Sequence, residues 1–160
     1  MSNIDIREAL ESDCALILQF IKGLAEYEKA LDEVKTSELD LGKALFSDHP
    51  KAFALICTID GSPAGFALYF FNYSTWTGKF GLFLEDLYVS PQHRGSGAGK
   101  ALLKHLANLA LENDCGRFEW NVLDWNEPSI KFYESFGAKA QSEWVGYRLD
   151  GADLKNFAES

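Results

Sequence analysis

The chain has 160 residues, a formal net charge of −9, 47% hydrophobic and 14% aromatic side chains. That is enough to bury roughly two-thirds of the unfolded surface around one core, and it argues against disorder. No apolar run approaches the ~20 residues that span a bilayer and no basic-then-apolar leader opens the chain, so a soluble, cytoplasmic protein without a membrane partner is expected. The acidic field repels nucleic acid and draws cations, which favours a positively charged partner over a polyanion.

In chain order, IDIREA predicts a short strand with Ile4 and Ile6 alternating. Ser12 then stands where it would cap a helix whose apolar face is Ile17, Phe20, Ile21 and Leu24. A second short helix is predicted from Ser37 to Phe46. AFALICTID and AGFALYFFNY flank the turn residues DGSP and predict a hairpin, which continues through WTG into a third strand, KFGLFLEDLYV.

Leu102, Leu103, Leu106, Leu109 and Ala110 recur at three- and four-residue intervals, predicting an amphipathic helix of about four turns that ends near Asn113. RFEWNVL should be a strand parallel to the one before that helix, because a helical crossover joins them. Pro128 and Gly137 bound a short helix, and WVGYRLD predicts a final strand. The expected class is mixed α/β, one domain spanning 1–160, with a mostly antiparallel central sheet. Cys14, Cys57 and Cys115 are widely spaced among apolar neighbours and read as core residues; with the scattered His49, His93 and His105 they form no metal-ligand pattern, so no metal is expected.

LEDLYVSPQHRGSGAGK is the stretch that carries chemistry. Three glycines within five residues join a strand to a helix, which suits phosphate. The nucleotide-hydrolase loop fails, because Arg94 stands where its first glycine belongs and Ala101 replaces the magnesium-binding hydroxyl. The dinucleotide pattern fails because Lys100 fills the third glycine site. What fits is Arg94-x-x-Gly97-x-Gly99: glycines let successive N–H groups turn inward, and the following helix start adds about half a positive charge, so a pyrophosphate could be held without metal.

That pattern resembles the acyl-CoA loop of the GNAT N-acetyltransferase superfamily. FIKGLAEYE, GFALYFFNYSTWTGK, FLEDLYV and DWNEPSIKFYESFGA resemble, in the same order, its spermidine/spermine and thialysine acetyltransferase branch. The resemblance implies the GNAT fold, in which a parallel strand pair splays apart within the mixed sheet. It also implies acetyl-CoA as co-substrate, a small cationic amine as acceptor, direct transfer in a ternary complex, and an intertwined homodimer. The pantetheine arm would lie along Leu87, Tyr88 and Val89, and the pyrophosphate on Gly95, Ser96, Gly97, Ala98, Gly99 and Lys100 with Arg94 beside it. Asn126, Glu127, Pro128 and Ser129 carry over as further contacts to the coenzyme.

Tyr133 corresponds to the family's general acid, which protonates the departing thiolate; without the resemblance it would read as a packed aromatic between Ile130 and Phe136. Glu85 and Asp86 are neighbours on a strand, so their side chains should point to opposite faces. The resemblance favours Glu85 as the catalytic carboxylate that relieves the amine of its proton, since an alkyl ammonium loses it only near pH 10.4 in water. The resemblance implies Asp86 as the second carboxylate at the acceptor site, and Tyr27 and Glu28 match an acceptor-binding stretch of the family. Glu119 and Asn121, two residues apart, share one face of the RFEWNVL strand and would line the same cavity. Tyr27, Glu28, Glu119 and Asn121 read at least as well as solvated surface.

One departure concerns the acceptor. Polyamine-acetylating members carry a carboxylate just before a Gly-Trp-Arg-like segment, and Val145 stands at that place here. A shorter amine such as thialysine, another lysine-like amino acid or a diamine is then as suitable as a polyamine. Acetylation of a protein amine and a non-catalytic acyl-CoA or polyamine sensor are the competing functions; a sensor needs neither Tyr133 nor Glu85.

Overall fold

The structure, a computed structural model, describes residues 1–160. The chain divides into two compact units, Met1–Asn121 and Val122–Ser160.

The first unit is built on five strands: β1 (Ile4–Glu8), β2 (Phe53–Ile59), β3 (Ser62–Ser74), β4 (Lys79–Val89) and β5 (Arg117–Trp120). They lie in the order β1-β2-β3-β4-β5, antiparallel except for the parallel pair β4–β5. The meander follows from short turns. Between β2 and β3, Asp60 and Gly61 both take left-handed φ (50° and 83°), as a two-residue turn matching the strands' twist requires. β4 and β5 are parallel because α3 (Ala98–Glu112) crosses over between them, and Asn113 ends it as the leucine spacing predicts.

Helices α1 (Cys14–Tyr27) and α2 (Glu38–Leu45) pack on one face of the sheet. Their core joins Cys14, Ile17, Phe20, Leu41 and Leu45 to Ala54, Ile56 and Phe66, with Leu68 and Tyr88 packed against it. Phe20 stacks on Phe66 with centroids 5.7 Å apart and meets the Tyr88 ring at 5.9 Å. α2 begins at a reciprocal cap: Ser37 Oγ accepts from Asp40 N–H at 3.1 Å, and the Asp40 carboxylate accepts from Ser37 N–H at 3.1 Å. Cys14 and Cys57 are buried as expected, while Cys115 is only partly so; all three are free thiols.

Two sequence expectations need correction in this unit. Ser12 does not cap α1; it lies inside a 3₁₀ turn, Glu11–Asp13, and Asp13 is the first helix's N-cap. Asp13 is the cap by position, while its carboxylate turns back to accept from Leu10 N–H at 2.7 Å and from both Nη atoms of Arg7, which anchor it to β1. β5 stops at Trp120, short of the predicted Leu123. It pairs with β4 only from Gly81↔Arg117 to Leu84↔Trp120, and a strand without a ladder partner has no reason to continue.

The second unit holds α4 (Glu127–Ser135) and α5 (Gly151–Glu159). Asn126 caps α4 by accepting from Ser129 N–H at 3.4 Å, Pro128 sits in its first turn, and Gly137 follows with φ 96°. WVGYRLD is not a strand; the chain from 139 to 150 runs without regular structure into α5, a helix the sequence reading did not foresee. The unit contains no other strand, so the alternation in WVGYRLD finds no backbone to pair with.

Candidate active site

β4 outruns its parallel neighbour, leaving one edge of Glu85–Val89 open. Which backbone groups face that opening follows from the ladder on the other side. Ser90 N–H donates to Ala64 O at 2.8 Å on the β3 side, so by alternation Tyr88 faces β3 as well, and Leu87 and Val89 turn their N–H and C=O groups outward. A β-carbon on Gly65 would collide with the Tyr88 carbonyl oxygen, which lies against β3 accordingly. The Leu87 and Val89 side chains alternate to the face that α3 covers, so packing and an exposed backbone edge coexist at these two residues.

The opening starts at a β-bulge. Leu68 pairs with Asp86 but Tyr69 pairs with Leu84, leaving Glu85 as the extra residue on β4. The bulge breaks the strict alternation on which the expectation of opposite faces for Glu85 and Asp86 rests. Phe83, opposite Phe70, and Asp86, opposite Leu68, share the face toward α1 although they are three residues apart, because the bulge resets the alternation. Glu85 is exposed and Asp86 is half-buried. Burial first, then the negative charges of Glu85 and Glu28, push the Asp86 carboxyl up to about 6. Burial also raises Glu28, the residue that ends α1. Three carboxylates thus converge beside the open edge, on the face where Tyr27, 40% exposed, completes the helix. Glu119 lies opposite Phe83 on β5, upstream of the bulge, and Asn121 falls one residue beyond the strand.

The glycine loop begins where β4 ends. Gly95 and Gly97 take φ of 79° and 92°, a region open to glycine without strain, and Gly97 is the N-cap of α3. Ser96 Oγ accepts from Ala98 N–H at 3.3 Å, while Gly99 and Lys100 lie in the first turn, whose N–H groups have no partner within the helix. From Leu87 to Leu111 the chain carries no carboxylate but has Arg94, Lys100 and Lys104, a basic island in an acidic protein that composition alone conceals. An anion suits it.

Arg94 is placed more specifically than its motif suggests. Its Nε donates to Val89 O at 3.1 Å, and its guanidinium lies over the rings of Tyr27 (5.1 Å to the centroid) and Tyr88 (5.8 Å). Gly23 makes this possible, since the Tyr88 hydroxyl fills the space where a side chain would stand. Sequence reading passed over Gly23; a glycine inside a helix, costly there by about 1 kcal/mol, was the available signal.

In the second unit, Asn126, Glu127, Pro128 and Ser129 form the capped first turn of α4, and Tyr133 lies in its last turn with its ring 5.8 Å from Phe132 and 6.3 Å from Phe136. Val145 lies in the irregular stretch that follows. No group of three or more His, Cys, Asp or Glu side chains is arranged to hold a metal ion, and no helix is long and apolar enough to cross a membrane.

Comparison with known proteins shows the family. The acetyltransferase (GNAT) family model matches residues 18–138, across both units. The chain is 40% identical over 169 residues to the thialysine N-epsilon-acetyltransferase of Sus scrofa, covering 99% of each. It is 35% identical over 168 residues to the spermidine/spermine N(1)-acetyltransferase-like protein 1 of Homo sapiens, covering 99% of this chain and 24% of that one. Among solved structures, an integron cassette protein from the mobile metagenome of V. cholerae superposes with a TM-score of 0.79 at 31% identity, covering 98% of both chains. The chain belongs to the GNAT family of N-acetyltransferases, in the branch that holds the thialysine and spermidine/spermine enzymes.

Proposed function

We propose that this enzyme transfers the acetyl group of acetyl-CoA to a primary amine of a small cationic molecule, directly within a ternary complex. The observation that carries the reading is the cluster of Glu28, Glu85 and Asp86 beside the open edge of β4: carboxylates crowded enough to raise one of them attract an ammonium group strongly. Thialysine, another lysine-like amino acid or a diamine suits so compact a cluster, and Val145 in place of a further carboxylate disfavours the longer polyamines.

The residues present fit the coenzyme. The loop Gly95–Lys100 offers inward-turned N–H groups and a helix start for the pyrophosphate, with Arg94 at its side, and Leu87 and Val89 offer the backbone edge that an extended pantetheine chain would join as an added strand. Asn126, Glu127, Pro128 and Ser129 complete the coenzyme contacts in this reading. Bound there, acetyl-CoA supplies the activated acyl group; no metal takes part.

The chain's own groups do the rest. Asp86 and Glu28 hold the ammonium, with Tyr27, Glu119 and Asn121 around the acceptor. Glu85, exposed at the bulge, passes the amine's proton to water, and a backbone N–H at the open edge polarises the acyl carbonyl. Tyr133 delivers a proton to the departing sulfur. The whole chain, 1–160, acts as a single GNAT domain, which the span of the family model across both units supports.

In this reading the enzyme works in the cytoplasm as a homodimer. β3 outruns β2 after Phe53↔Tyr69, so Phe70–Ser74 keep an unpaired edge, and Tyr73 and Phe80 are exposed beside it with rings 5.0 Å apart, a surface suited to self-association. The function is tested by following thiol release from acetyl-CoA with thialysine, lysine, diamines, spermidine and a lysine peptide. Turnover with free small amines is expected; turnover with the peptide alone would replace this reading with protein acetylation.

A further inference from the structure

Arg94 is shared between two parts of the site that the proposed function treats separately. Its backbone belongs to the glycine loop, but its side chain reaches toward the end of α1. A guanidinium has two faces and an in-plane fork of donors, and these can be used at once. Here Nε is spent on the Val89 carbonyl and the plane lies over Tyr27 and Tyr88, while the two Nη atoms take no part in that hydrogen bond. Tyr27 immediately precedes Glu28, whose charge acts on Asp86. Arg94 thus links the loop to the end of α1, next to the acceptor carboxylates.

We propose that Arg94 is a positioning residue that couples coenzyme binding to acceptor binding: a diphosphate taking its Nη edge fixes the guanidinium plane, which in turn holds Tyr27 and sets Glu28 beside Asp86. Each ligand then binds a partly ordered site when the other is present, and the effect is reciprocal. A lysine at the same position keeps the charge for phosphate but lacks the plane and the Nε donor, so charge and coupling separate in one substitution. This inference rests on the acetyltransferase reading and deepens it.

The test is calorimetric titration of free coenzyme A into the protein with and without saturating thialysine, which involves no turnover. The wild type is expected to bind coenzyme A about fivefold tighter when thialysine is present, a typical coupling between two sites. In Arg94→Lys that ratio falls to about one, whatever the affinity without amine becomes, because the ratio compares the variant with itself. Tyr27→Leu behaves alike, Tyr27→Phe keeps the wild-type ratio, and Arg94→Lys combined with Tyr27→Leu is no worse than either alone. Tyr27 is partly exposed, so its variants decide the matter even where Arg94→Lys lowers the yield of folded protein. A wild-type ratio of one, or a ratio unchanged in Tyr27→Leu, overturns the coupling and leaves the acetyltransferase reading standing. Absence of any coenzyme A binding by the wild type overturns both.

Discussion

The Tyr88 hydroxyl occupies the space a side chain on Gly23 would need: a β-carbon there would lie 2.5 Å from Oη and 2.7 Å from Cζ. Alanine at this position gains about 1 kcal/mol of helix propensity and spends it on displacing the Tyr88 ring, so Gly23→Ala should unfold within a few degrees of the wild type. The ring it moves supports Arg94, and the amine KM at saturating acetyl-CoA is expected to rise about fivefold with little change in coenzyme affinity. Thermal unfolding and steady-state kinetics on one preparation check both.

Asp86 is expected to cost stability where it is charged. Its carboxyl is pushed up to about 6 in the folded chain from an ordinary value of 3.8, so between those values the native state holds more protons than the unfolded one and stability falls as pH rises. Asp86→Asn removes a cost of up to about 3 kcal/mol at pH 7, from two pKa units at about 1.4 kcal/mol each, and the gain should vanish near pH 4. Urea unfolding at the two pH values measures it, and a loss of stability at pH 7 would contradict the burial account. The same variant should raise the amine KM, and the wild type's decline in kcat/KM below pH 6 should disappear.

Asp13 has the opposite sign. The Arg7 hydrogen bonds hold its carboxyl below the ordinary range, so its contribution is complete above the unfolded value and is lost as pH falls through the folded one. It is 8% exposed, and Asp13→Ala leaves Arg7 and Leu10 N–H without their acceptor. A loss of about 2–3 kcal/mol at pH 7 is expected, below the ~3–5 kcal/mol usual for breaking a fully buried pair because Arg7 reaches solvent. Denaturant unfolding at pH 7 and pH 3 should show the difference shrinking with acid.

Tyr133→Phe keeps the ring that meets Phe132 and Phe136 and removes only the hydroxyl. On the proposed role kcat should drop about a hundredfold or more, within the usual range for a lost general acid. Coenzyme A affinity by calorimetry should stay unchanged. A turnover near wild type would remove the assignment.

The elements readable in advance are those specified within a few residues of chain. The β2–β3 turn, the Ser37 cap, the end of α3 at Asn113 and the Asn126–Pro128 start of α4 each depend on dihedral preferences and on hydrogen bonds spanning three or four positions. WVGYRLD had the right alternation for a strand and did not become one, because pairing needs a neighbour that local sequence does not name.

The Arg94-to-Gly99 loop and the parallel placement of β4 and β5 were legible in the sequence by itself, for glycine's left-handed φ and the crossover helix act locally. The bulge at Glu85, the burial of Asp86 beside Glu28, and the seat of Arg94 on Tyr27 and Tyr88 were decided by tertiary structure alone. Register and desolvation depend on strands and helices distant along the chain, and no window of a few residues contains both partners.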